Sequence, residues 1–183
     1  MEYNLELKAI AKNIKLIAFD VDGVMTDGSL TFDENGVEYK TYNAKDGQGI
    51  QLLNKAGIIT AIITKRKNGT VVHRAKILCI TELHQGQEFK VKALEEIVEK
   101  YNVSYDEIAY MGDDIPDVCV LEKVGLACCP ADAIDEVKAV SKFISGKNGG
   151  QGAVRELTDF ILKTKGFDLT KLIHEPTKEK CGT

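Results

Sequence analysis

Two carboxylates, Asp20 and Asp22, stand where the apolar run Lys15-Leu16-Ile17-Ala18-Phe19 gives way to Asp20-Val21-Asp22-Gly23. Carboxylates crowded at one spot repel, and one takes up a proton unless a cation sits among them. Hard oxygen ligands favour Mg2+, which needs only one or two protein carboxylates beside water and phosphate oxygens. A carboxylate held near such an ion can attack phosphorus and form an aspartyl-phosphate. Its neighbour can protonate the leaving oxygen and later activate water. Thr64 ends a second apolar run and offers a hydroxyl, while Lys90 lies in a helical pattern and offers an ammonium. Both suit phosphoryl oxygens. Gly112-Asp113-Asp114 ends a third run, Ile108-Ala109-Tyr110-Met111, and adds further acids.

Taken singly, each feature has an ordinary reading. Asp-x-Asp can open a calcium loop, although Val24 occupies that loop's next ligand position. Gly-Asp-Asp is a common turn, Lys90 a solvated helix residue and Thr64 a strand-end hydroxyl. Taken together, each at the element where it is needed, they point to phosphoryl transfer, which asks mainly for positioning and charge neutralisation.

The elements that must position these residues are legible as a pattern. The runs at 15–19, 58–63 and 108–111, with weaker ones at 125–128 and 142–144, are short and nearly continuous in apolar residues. That is the signature of strands buried on both faces of a parallel sheet. Helical periodicity fills the intervals at 49–56, 71–78, 88–101, 133–140 and 153–162. Alternating strands and helices predict an α/β fold with a doubly wound parallel sheet and right-handed crossovers. In such a sheet the carboxyl ends of the strands share one edge, where ligands bind. Asp20, Asp22, Thr64, Asp113 and Asp114 are therefore predicted to converge. Gly28 to Tyr42 breaks the alternation: strand formers flank Asn35-Gly36, a β-hairpin signal, so a hairpin flap is expected just after the first strand.

Composition sets the outer limits. At 183 residues the chain fits one domain, read as 1–165, followed by a tail at 166–183 expected to fray around Gly166, Pro176 and Lys178-Glu179-Lys180. Lysine plus arginine number 24 and aspartate plus glutamate 28, a formal charge of −4 with no basic run, which argues against nucleic acid as a partner. No apolar window reaches the ~18–20 residues of a membrane span, and the polar start does not read as a secretory signal. The five cysteines, at 79, 119, 128, 129 and 181, are odd in number and lack a C-x-x-C pair. They suit neither a disulfide framework nor a zinc knuckle; Cys79 and Cys119 are expected as buried reduced thiols, and the cytoplasm as the compartment.

The motifs Asp20-Val21-Asp22-Gly23-Val24, Thr64, Lys90 and Gly112-Asp113-Asp114 resemble the four signatures of the haloacid dehalogenase superfamily. A closer resemblance, over about residues 12–163, is to the capless 3-deoxy-D-manno-octulosonate (KDO) 8-phosphate phosphatases. It is carried by the stretch 19–28, Asp46-Gly47-Gln48-Gly49-Ile50, Gln85-Gly86, the stretch 109–114, Pro130-Ala131-Asp132-Ala133 and the stretch 149–156. That resemblance implies a Rossmann-like fold without a separate cap domain. It implies Asp20 as nucleophile, Asp22 as general acid/base, and Mg2+ held by the Asp20 side chain, the Asp22 backbone carbonyl and Asp113. It implies Thr64 and Lys90 on the phosphoryl group, a pocket lined by the segment holding Asn43, Lys45, Asp46 and Gly47, and Arg66 and Arg74 facing a sugar acid. An arginine fork suits a carboxylate on its own physical merits. Capless relatives are similar in forming tetramers, so a homotetramer is expected with the hairpin as contact.

The expected activity is Mg2+-dependent hydrolysis of KDO 8-phosphate in lipopolysaccharide precursor synthesis, with a nine-carbon acylneuraminate-type 9-phosphate as the alternative ester. Departures from the family pattern are Lys65 in place of a glycine, Gln151 in place of an arginine, and Gln51 where a basic residue is common. A receiver-type phosphoacceptor uses the same residue types, but places its paired acids after the first strand and its acceptor after a later one. The order here is the reverse.

Overall fold

The computed structural model describes residues 3–176. The chain opens with α1 (Leu5–Asn13), β1 (Leu16–Phe19) and a hairpin of β2 (Thr31–Phe32) and β3 (Glu38–Tyr39). It continues through α2 (Ala44–Lys55), β4 (Ile59–Thr64), α3 (Gly69–Leu78), β5 (Glu82–Gln85), α4 (Lys90–Tyr101) and β6 (Ile108–Met111). The last third holds α5 (Ile115–Leu121), β7 (Leu126–Cys129), α6 (Asp135–Val140), β8 (Phe143–Ile144), α7 (Ala153–Thr164) and α8 (Leu169–Leu172).

Six strands form one sheet in the order β5-β4-β1-β6-β7-β8, every pair parallel. Period-two alternation divides its side chains between two cores. Ile17, Phe19, Ile62 and Met111 face α1, α2, α3, α7 and α8, while Leu16, Ala18, Ile63 and Tyr110 face α4, α5 and α6. This is the expected doubly wound α/β architecture. The strand order changes direction at β1 and β6, so the crevice at their carboxyl ends is the switch point where such folds bind ligands. The hairpin turns where expected: Asp33 accepts hydrogen bonds from the backbone N–H groups of Asn35 and Val37, both at 2.9 Å, and Gly36 takes a positive φ of 77°.

Three differences have physical reasons. β5 lacks an apolar run because all four of its residues are only half-buried at the sheet edge. α2 begins five residues before the apolar periodicity, since Asn43 caps it by accepting from the N–H groups of Lys45 and Asp46. Residues 169–175 are not frayed: Leu172 is buried in the first core, and Lys55 Nζ donates to the Ile173 carbonyl at 2.9 Å. The rest of the stretch read as a tail, 177–183, lies outside the described residues.

The cysteines also differ. Cys119 is exposed, because α5 turns Asp117, Val120 and Leu121 inward instead. Cys79 is half-buried in a left-handed conformation past the end of α3 and is not a free thiol. Among the described residues no helix is long and apolar enough to cross a membrane.

Candidate active site

A cavity of about 280 Å3 opens at the switch point, lined among others by Asp20, Asp22, Thr64, Arg66, Lys90 and Asp113. The sheet supplies three of these directly: Asp20 follows β1, Thr64 ends β4 and Asp113 follows β6 by one residue. Asp20 N–H donates to the Met111 carbonyl at 3.0 Å, so the hydrogen-bond ladder extends to the nucleophile candidate itself. Lys90 enters as the first residue of α4 and is 2% exposed.

Gly23 makes room for the cluster. Its φ is +81°, and a Cβ built there would lie 2.0 Å from Asp113 Oδ2. Only glycine meets both demands. The loop carrying Gly23 is braced by the far end of the chain: Gly150 N–H donates to the Val24 carbonyl at 3.0 Å, and a Cβ on Gly149 would lie 1.8 Å from the Gly23 carbonyl oxygen.

Beneath the cavity lies a buried charge network. Lys90 Nζ stands 3.0 Å from Asp20 Oδ1 and 2.7 Å from Asp117 Oδ1. Tyr110 donates its phenol hydrogen to the same Asp117 oxygen at 2.6 Å, and Asp117 Oδ2 accepts the Asp113 N–H at 3.1 Å. Asp117 is fully buried; these partners, with the Asp114 N–H at 3.4 Å from Oδ2, explain how its carboxylate tolerates that.

The acids carry more negative charge than Lys90 can offset. Burial raises the Asp113 carboxyl, with Asp20 and Asp117 adding to the effect, to about 8. Burial likewise pushes Asp20 above the usual carboxylate range, against the pull of Lys90. Burial alone would lower the Lys90 ammonium, but Asp20 and Asp117 hold it above its ordinary value. Carboxylate oxygens of Asp20, Asp113 and Asp117 lie within 4.8 Å of one another, and Asp113 Oδ1 is buried without a hydrogen-bond partner. Crowded hard oxygens, one of them orphaned, are what a divalent cation satisfies, so this donor set fits Mg2+.

Behind the lining residue Asp22, the hairpin brings a cation that sequence reasoning missed. Lys40 Nζ pairs with Asp22 Oδ1 and, at 2.7 Å, with Glu38 Oε1; its side chain is 1% exposed. Arg66 Nε stands 3.7 Å from Asp22 Oδ2, and Arg66 Nη1 stands 3.8 Å from Glu38 Oε2.

Of the residues expected to meet substrate, Asp22, Arg66 and Lys90 line the cavity. Asn43, Lys45, Asp46 and Gly47 build the start of α2, and Arg74 lies in α3 beside it. Asn43 caps α2 and donates to the Gly150 carbonyl at 3.1 Å. Asp46 accepts the backbone N–H groups of Arg155 at 2.8 Å and Gly152 at 3.3 Å. Gly47 lies against Arg74, which donates to the Asn43 carbonyl at 3.1 Å and stacks on the Tyr42 ring. Lys45 and Gln151 face a separate groove between α1 and α7, and the departure at Lys65 forms a surface pair with Glu88 at 3.0 Å. Asp117, which the sequence reading also missed, had a weak signal: Asp114-Ile115-Pro116-Asp117 is a helix-start box. Lys40 had none.

Comparison with known proteins agrees with this geometry. Residues 79–157 match the haloacid dehalogenase-like hydrolases. The chain is 42% identical over 158 residues to the 3-deoxy-D-manno-octulosonate 8-phosphate phosphatase KdsC of Escherichia coli K12, covering 86% of this chain and 84% of that protein. It is 41% identical over 152 residues to the Yersinia pestis protein of that name, covering 83% and 81%. The Moraxella catarrhalis phosphatase, solved with magnesium, phosphate and KDO, superposes with a TM-score of 0.89 at 38% identity over 93% of this chain and 98% of that one. The cobalt-bound Haemophilus influenzae enzyme superposes at 0.85 with 33% identity, over 90% and 98%. With its acids, lysine and threonine gathered at the switch point, the chain is a phosphoric monoester hydrolase of the haloacid dehalogenase-like class and belongs to the family of 3-deoxy-D-manno-octulosonate 8-phosphate phosphatases.

Proposed function

We propose that this enzyme hydrolyses KDO 8-phosphate to KDO and phosphate. The carrying observation is that Asp20, Asp22, Thr64, Lys90 and Asp113 line one cavity whose rim bears Arg66, a partner for the sugar-acid carboxylate. A side chain of Asp20, a backbone carbonyl of Asp22 and a side chain of Asp113 would hold Mg2+. When bound, the ion neutralises the crowded carboxylates and the charge of the phosphoryl oxygens.

The residues divide the work by position. Asp20 attacks phosphorus as the bond to the sugar oxygen breaks, forming an aspartyl-phosphate. Asp22 gives its proton to the departing sugar oxygen, then takes one from the water that attacks the phosphoenzyme. The Thr64 hydroxyl and the Lys90 ammonium hold the phosphoryl oxygens through both steps. Free thiols at Cys119, Cys128 and Cys129 favour the reducing cytoplasm, against the bonded Cys79, and the ester fits a step of lipopolysaccharide precursor synthesis. The hairpin, with Leu30, Phe32, Val37 and Tyr39 all exposed, supports assembly into a homotetramer.

The test is phosphate release from KDO 8-phosphate and from a nine-carbon acylneuraminate 9-phosphate, with Mg2+. Higher kcat/KM on the eight-carbon ester is expected; preference for the nine-carbon ester would overturn the substrate. EDTA should silence turnover and Mg2+ restore it. Asp20→Asn should abolish it, since an amide is not a competent nucleophile, and near wild-type turnover by that variant would remove Asp20 from its role.

A further inference from the structure

Lys40 is a buried cation outside the set of residues that performs the two chemical steps. It lies one residue beyond β3 on the returning arm of the hairpin, and its ammonium reaches Asp22 Oδ1 and Glu38 Oε1. Burying an ammonium is costly unless it is well paired, and a mere clasp for the flap would be met by an apolar side chain. The two carboxylate oxygens of Asp22 are placed differently. Oδ1 is taken by Lys40, whereas Oδ2 has Arg66 Nε at the longer distance of 3.7 Å.

We propose that Lys40 is a positioning residue for the reaction: it pins one oxygen of Asp22 and leaves the other to carry the proton, so that the seating of the hairpin and the readiness of the acid/base are one event. Without the ammonium, Asp22 and Glu38 would keep as counter-charge the more distant Arg66 guanidinium, and Asp22 would turn away from the leaving oxygen. The inference rests on Asp22 being the acid/base.

The experiment is a double-mutant cycle of Lys40→Met and Asp22→Asn on Mg2+-loaded enzyme. It is read on KDO 8-phosphate and on p-nitrophenyl phosphate, whose weakly basic leaving group departs without a proton. Loss of a whole acid/base costs about 10²–10⁴-fold, so a misplaced one should cost about tenfold or more in kcat on the sugar ester, with KM within about threefold. On the aryl ester Lys40→Met should give a burst of nitrophenolate, because only the second step still needs Asp22. In the Asp22→Asn background, Lys40→Met should add less than about twofold. Lys40→Arg should recover part of the lost kcat.

Additive losses in the cycle, or a raised KM with unchanged kcat, would overturn the role of Lys40 while leaving Asp22 in place. Wild-type kcat in Asp22→Asn alone would instead overturn the reading of Asp22. Should Lys40→Met fail to fold, Lys40→Gln is read by the same cycle.

Discussion

At the residue scale, the site is a negative cluster awaiting a cation, and its pH behaviour follows. Asp113 is raised to about 8 in the folded protein, so between the unfolded carboxylate range and that value the folded state binds the extra proton. Metal-free stability is therefore present at low pH and is lost as pH rises through the window from about 4 to about 8. Thermal melts should show the apoprotein more stable at pH 5.5 than at pH 8, with Mg2+ raising the midpoint more at pH 8. A metal-free midpoint that climbs with pH across that window would contradict the buried acid cluster. Tyr110 gives a second handle. Its hydroxyl donates to the fully buried Asp117 carboxylate, so Tyr110→Phe should lower the unfolding free energy in urea by about 1–3 kcal/mol.

At the element scale, what the sequence disclosed depended on burial. β1, β4 and β6 are readable because each is buried on both faces, and the acids and the threonine that end them fall on the functional edge by topology alone. β5 is half-buried and polar, and α1, α5 and α8 are short or lie at the ends of the chain, so periodicity gives little warning of them. The segment 43–47 shows a local duty that its sequence does not announce: its residues cap α2 and tie it to residues 150–155. Lys40 is invisible in the sequence because its partner is reached only through the path of the hairpin. The brace under the first catalytic loop is equally non-local. Gly149→Ala would drive a Cβ to 1.8 Å from the Gly23 carbonyl oxygen, and backbone cannot yield as a flexible side chain would. A displacement of about 1 Å at a catalytic group can cost about 10²-fold, so kcat should fall by that order while circular dichroism stays native. Wild-type kcat in this variant would show that the brace does not set the loop.

At the scale of the whole molecule, no element among the described residues forms a separate domain over the cavity, and charges open to water are weakened by solvent. The hairpin is the element placed to change that. Its strands are two residues each, too short to be stable alone, and Phe32 and Tyr39 are more than half exposed. Light scattering should report a tetramer, and Phe32→Ser with Tyr39→Ser should shift it toward smaller species and lower turnover together. A wild-type monomer would contradict the assembly.

The packing of Gly149 and Gly150 against the loop after β1 also has a consequence for biosynthesis. The ribosome delivers the nucleophile long before the glycines that brace its loop. A nascent chain therefore carries an unfinished catalytic loop until Gly149 and Gly150 emerge and pack against the segment after the first strand.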